Sequence, residues 1–142
     1  MDNRTIDLLK IRTGIKTTSI TNNMSDGERF QNETIRPAIK FQNDLLLEAF
    51  KNYTKKHKDV FRALSPDKKM DYIENAIQRD MKFRNSLKGM IIGVFSVEEY
   101  KHYIKNSSAL NKRMMNIVIE RIKSQVMLLE EQTLSINNRN AV

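Results

Sequence analysis

Asp80 and Arg84 stand one helical turn apart, and Arg121 and Gln125 repeat that spacing further along the chain. Side chains at i and i+4 share a helix face, so the first pair can form an ion pair and the second a joint hydrogen-bonding surface. Projected at about 100° per residue, Asp80 and Arg84 fall between Ile73, Ile77 and Leu87, and Arg121 and Gln125 between Leu110 or Ile117 and Val118. Gln42 falls in the middle of a third apolar stripe. Burying a charge is costly unless it is paired, so these five residues are expected to form one internal polar network if their helices pack together. Two roles are open to such a network. It can fix which helix faces which, or a dimer seam, or it can line a pocket in which Arg84 or Arg121 receives a small anion.

A second group is basic. Lys51, Lys55, Lys58 and Arg62 form a stripe near the end of a helical segment, where cations favour the negative end of the helix dipole. The alternative is a surface for nucleic acid or an acidic partner, with Lys82 and Lys88 in support and Tyr53 nearby. Glu99 and His102 have the ExxH spacing that places a carboxylate and an imidazole on one face. A di-iron bundle needs two such motifs, and the only other histidine, His57, is preceded by Thr54 at the matching position. The run KGMIIGVF, residues 88 to 95, contains two glycines but no strand before it and no Lys-Ser/Thr after it, so it reads as a helix end and a connector rather than a phosphate loop. No catalytic residue, metal ligand or cofactor is expected.

Composition bounds the object that carries these residues. A chain of 142 residues with 39% hydrophobic and 30% charged content is of single-domain size and can form one core. The absence of cysteine excludes disulfides, thiolate metal sites and thiol nucleophiles. No run approaches the roughly 20 apolar residues of a membrane span, so no membrane partner and a cytoplasmic location are expected. The net charge of +8 is spread evenly, each of the segments 1–24, 25–64, 65–95 and 96–142 carrying +2. That distribution has neither a basic arm nor an acidic tail.

Helix punctuation sets the elements. Ser25-Asp26-Gly27-Glu28 and Ser96-Val97-Glu98-Glu99 have the form of capping boxes, the second with Phe95 and Tyr100 placed as a hydrophobic staple. Ser65-Pro66-Asp67 supplies an N-cap, a first-turn proline and an acid at the positive dipole end. Helices are therefore expected over about 26–57, 66–88, 97–105 and 108–133, the first kinked by Pro37 near Gln31 to Glu33. The last presents Leu110, Met114, Met115, Ile117, Val118, Ile119, Ile122, Val126 and Leu129, an arc broad enough to touch several neighbours from the centre of the bundle. Residues 1–24 read as a mobile N-terminal arm with one helical turn at TIDLLK, 25–134 as the domain, and 135–142 as a frayed tail.

The stretches RFQNETIRPAIKFQNDLLLEAFKNY and DYIENAIQRDMKFRNSLKGMIIGVFSVEEYKHYIKNSSALNKRMMN resemble a small uncharacterised all-helical family from marine Bacteroidota, over roughly residues 25 to 130. Some members carry the label "glyoxalase". The resemblance implies an all-helical fold. Glyoxalase-type folds take their metal ligands from βαβββ modules, and no motif here matches those ligands.

The expected fold is all-α, a compact four-to-five-helix bundle with a long kinked first helix. The leading functional expectation is a non-enzymatic binding or regulatory module that self-associates, as a homodimer or with a protein partner. The alternatives are a nucleic-acid-associated basic protein and a small-anion-binding bundle or enzyme.

Overall fold

The computed structural model of the protein describes residues 2–13 and 23–140, with side chains placed for 2–12 and 23–130. These residues are all-α. Eight α-helices, one π-helical turn and one 3-10 turn are present, and no strand occurs among them. The chain runs α1 (Asn3–Thr13), α2 (Asp26–Phe30), the π turn (Gln31–Ile35), α3 (Arg36–Phe41), α4 (Asn43–Lys56), the 3-10 turn (Val60–Ala63), α5 (Pro66–Arg79), α6 (Met81–Ile92), α7 (Val97–Tyr103) and α8 (Ser107–Asn140). No helix among the described residues is long and apolar enough to cross a membrane.

The starts follow the caps. Ser25, Ser65 and Ser96 each accept a hydrogen bond from a backbone N–H three residues on, and Ser96 completes the reciprocal box with Glu99. Phe95 packs edge-on against Phe30 and Tyr103, so its aromatic partners differ from the staple expected with Tyr100. α8 is the central helix: it packs on α5, α6 and the π turn. Leu110, Met114, Met115, Val118, Ile119, Ile122 and Val126 are buried along it, facing Ile35, Ile39, Leu46, Ile73, Ile77, Leu87 and Ile91 within one core.

The bundle is more segmented than the expected four to five helices. Residues 26–57 do not form one kinked rod. At Gln31–Ile35 the helix widens, with the Arg36 N–H donating to the Gln31 carbonyl five residues back. This lies where the Pro37 kink was expected, because proline has no N–H for the Glu33 carbonyl four residues behind it. A second break falls at Gln42 (φ −90°, ψ 6°). It resets the helical phase between α3 and α4, and Phe41 and Leu45 on either side of it are 43% and 48% exposed. The 66–88 segment breaks at Asp80, which is extended (φ −84°, ψ 99°) and caps α6 through its side chain. Met81, the first residue after the break, is exposed.

Two further differences concern the chain ends. Asn3–Thr13 form a full helix rather than a single turn, and that helix is docked: Arg12 grips Glu99 at 2.5 and 2.7 Å and the Glu33 carbonyl at 3.1 Å, and Arg4 reaches the Gly93 carbonyl at 2.8 Å. Arg12 thus supplies the donor that Pro37 cannot. The rest of the expected arm, residues 14–22, lies outside the described residues. At the other end α8 continues through Asn140 where a frayed tail was expected. In the glycine run, Gly93 caps α6 with φ −58°, so positive φ is not the reason for glycine there. A Cβ on Gly93 would stand 3.1 Å from the Gly89 carbonyl oxygen, so close backbone approach is.

Candidate anion-binding cleft

The five residues expected to form one internal network are distributed over three places. Asp80 and Arg84 do not pair. With the helix broken at Asp80, its carboxylate turns to the Phe83 N–H (3.2 Å) and the Tyr53 hydroxyl (3.0 Å), while Arg84 donates to the Ile77 carbonyl (3.4 Å) at the end of α5. The two bonds to Asp80, that from the Phe83 backbone foremost, hold its carboxyl below the ordinary range against a smaller effect of burial. Gln42 donates to the Met90 carbonyl at 2.8 Å and ties the α3–α4 break to α6. Arg121 and Gln125 alone of the five share a site, a cleft of about 610 Å3 between α8 and the π turn with α3.

That cleft is lined by Arg36, Lys40, Arg113 and Arg121, with Glu120 as its one carboxylate and Gln31, Asn116, Ser124 and Gln125 as neutral polar groups. Its geometry follows from the elements. The π turn carries Gln31 and Asn32, and α8 carries Asn116, Glu120 and Ser124 on its exposed side, with Arg113 and Arg121 half-buried. Each arginine rests on a neutral amide oxygen. Arg36 donates to Asn32 Oδ1 (3.1 Å), Arg113 to Gln31 Oε1 (3.0 Å) and Arg121 to Asn43 Oδ1 (3.1 Å). Among the described residues none of the three is in an ion pair, and the Glu120 carboxylate lies 4.0 Å from Lys123 instead. Arg113 also lies along Gly27, where a Cβ would stand 3.3 Å from its Nε.

The cleft brings four cationic side chains together with one carboxylate. Burial first, and then the charge of Arg36, lower the Arg121 pKa, so both act against its cation. A guanidinium stays protonated regardless, so the cleft holds both charges side by side. Of the cleft's cations, Arg121 was legible as a candidate in the sequence, and Arg36, Lys40 and Arg113 were not. The signal available was the i, i+8 repeat of arginine along α8.

The expected basic stripe is not carried by one helix. α4 ends at Lys56 with His57 as its C-cap, and Lys58 and Asp59 turn the chain in the left-handed region (φ 65° and 53°). Lys51 and Lys55 therefore stand on the helix, while Lys58 and Arg62 lie beyond its end. Lys51 pairs with Glu48 (3.2 Å) and Arg62 with Asp59 (3.4 Å). Glu99 and His102 do face one cleft with Phe30, but Glu99 is engaged by Arg12, Thr34 and Ser96, and His102 stacks on Phe30 at 5.0 Å. Among the described residues no three His, Asp or Glu side chains converge as metal ligands.

The chain matches no family model, no curated protein and no solved structure.

Proposed function

We propose that the protein is a non-enzymatic binding module whose cleft between α8 and the π turn receives an anionic group, a phosphate or carboxylate. The observation that carries this reading is the set of three arginines, each held by an amide oxygen and none by a carboxylate, with two of them repelling one another. Guanidinium groups present flat paired donors that suit either anion. Nothing in the cleft forms a nucleophile–base pair, so binding rather than turnover is what the arrangement supports.

The test is thermal stabilisation by inorganic phosphate and citrate at constant ionic strength. A ligand at about 100 times its Kd stabilises the folded state by about 2.7 kcal/mol. The parent protein should show a saturable rise in Tm, and the double variant Arg113→Met with Arg121→Met should not. No rise in the parent, or an equal rise in the variant, would sink the proposal.

Self-association is a second reading, carried by Phe41 and Leu45. They stand four residues apart across the Gln42 break, each more than two-fifths exposed. A two-fold pairing of that patch with its copy would cover both.

A further inference from the structure

A different part of the molecule has no role in the anion cleft. Phe83, Tyr53 and His57 form a column of stacked rings, with centroids 4.1 and 4.0 Å apart and planes tilted by 23° and 25°. The column starts inside, at buried Phe83, and ends at His57, whose side chain is half exposed. His57 is held in place by its Nδ1 against the Tyr53 carbonyl at 2.8 Å and by the left-handed pair Lys58 and Asp59 that follows it. Strained backbone of this kind persists where surrounding structure imposes it, and it is concentrated at binding sites.

The outer two rings of the column, Tyr53 and His57, line a cleft of about 820 Å3 between α4 and the α5–α6 junction, with Tyr72, Asn75, Arg79 and Lys82 around it. Two features of this cleft are unsatisfied. The Tyr72 hydroxyl is buried without a hydrogen-bond partner. Arg79 and Lys82, flanking Asp80, are exposed and take part in no ion pair among the described residues, while the Asp80 carboxylate is already engaged by Tyr53 and Phe83. An exposed ring at the end of a stack can take one more flat ring, and the two cations beside it can take a phosphate.

We infer that this cleft binds a nucleotide, its base continuing the Phe83–Tyr53–His57 column and its phosphate meeting Arg79 and Lys82. The same chemistry is offered by a free nucleotide and by an unstacked base of a single strand. Base stacking on one aromatic side chain is commonly worth enough to change affinity by about tenfold or more.

The experiment titrates the full chain with adenosine monophosphate, a short single-stranded oligoadenylate and ribose 5-phosphate. Tyrosine fluorescence is the readout, the chain having no tryptophan. Saturable quenching by the nucleotide or the oligonucleotide is expected, with ribose 5-phosphate at least about tenfold weaker because it lacks the base. Tighter binding of the mononucleotide assigns the free ligand, and tighter binding of the oligonucleotide assigns the strand. His57→Ala should weaken either by about tenfold, His57→Phe should retain it, and Lys82→Gln should weaken it and flatten its salt dependence. The inference is overturned if ribose 5-phosphate binds as well as the nucleotide, if His57→Ala binds like the parent, or if neither nucleotide probe saturates. It is also overturned if Arg113→Met with Arg121→Met removes nucleotide binding while His57→Ala does not. That result would place the ligand in the arginine cleft and leave the proposed anion site standing.

Discussion

Arg12 and Glu99 form the most enclosed ion pair of the molecule's described residues, with side chains 8% and 19% exposed. Burial pushes the Glu99 carboxyl up, but the hydrogen bonds from Arg12, the Ser96 N–H and Thr34, together with the Arg12 charge, outweigh it and leave the group below the usual glutamate range. A carboxyl whose folded pKa is depressed adds stability that is complete above its unfolded pKa, about 4.3, and is lost as pH falls through the folded value. Docking of α1 should therefore hold at neutral pH and fail in acid. Removing one partner of a buried pair typically costs about 3 to 5 kcal/mol. Here the loss is limited to the docking energy, because α1 can leave while the body keeps its core. Arg12→Met should strip hydrogen-exchange protection from Asn3–Thr13 at pH 7 and leave α5 and α8 protected; unchanged α1 protection would contradict this. Asp80 makes the opposite case. Asp80→Ala removes the α6 cap and the Tyr53 bond and should lower Tm, whereas Arg84→Met should not restore it, since the two side chains do not meet.

At the scale of elements, α6 offers an internal comparison. Gly89 lies within the helix with open space around its missing Cβ, and Gly93 caps the helix with the Gly89 carbonyl at 3.1 Å from any Cβ. Alanine is favoured over glycine in a helix interior by about 0.5 to 1 kcal/mol, so Gly89→Ala should raise Tm by a few degrees. Gly93→Ala must push a backbone oxygen that α6 itself holds, so it should lower Tm. Differential scanning calorimetry of the two variants checks both signs. The breaks at Gln42 and Asp80 are held similarly, by side chains that reach a distant element. Gln42→Ala removes the donor to the Met90 carbonyl and should cost about 1 kcal/mol, more if that oxygen is left without water.

The whole molecule rests on α8. Met114 and Val118 are fully buried on it, and Met114→Ala should cost about 2 to 5 kcal/mol, the range for large core deletions. That is a large part of the roughly 5 to 15 kcal/mol that holds a domain of this size, so chemical denaturation should show it clearly. The proposed self-association belongs at this scale too. Light scattering should give a dimer mass for the parent at high micromolar concentration and a monomer mass for Phe41→Ser with Leu45→Ser; a monomeric parent would remove the reading.

The sequence by itself determined the helix starts at Ser25, Ser65 and Ser96, the all-α class and the buried face of α8 from Leu110 to Val126, though not at Leu129, which is exposed. Those follow from interactions between residues three or four apart: Ser25, Ser65 and Ser96 meet backbone N–H groups within their own first turns, and the apolar arc from Leu110 to Val126 repeats at the helical period. The tertiary structure decided where the helices break and which polar residues meet. Asp80 leaves the helix for Tyr53, 27 residues away, Gln42 for Met90, 48 away, and Arg12 finds Glu99 across 87. Helical projection assumes an unbroken phase, so a single extended residue at Asp80 carried Arg84 away from it. The arginine cleft was illegible for the same reason. Its cations come from α3 and α8, 77 residues apart between Arg36 and Arg113, and only the packing of the π turn against α8 brings their charges within reach of one another.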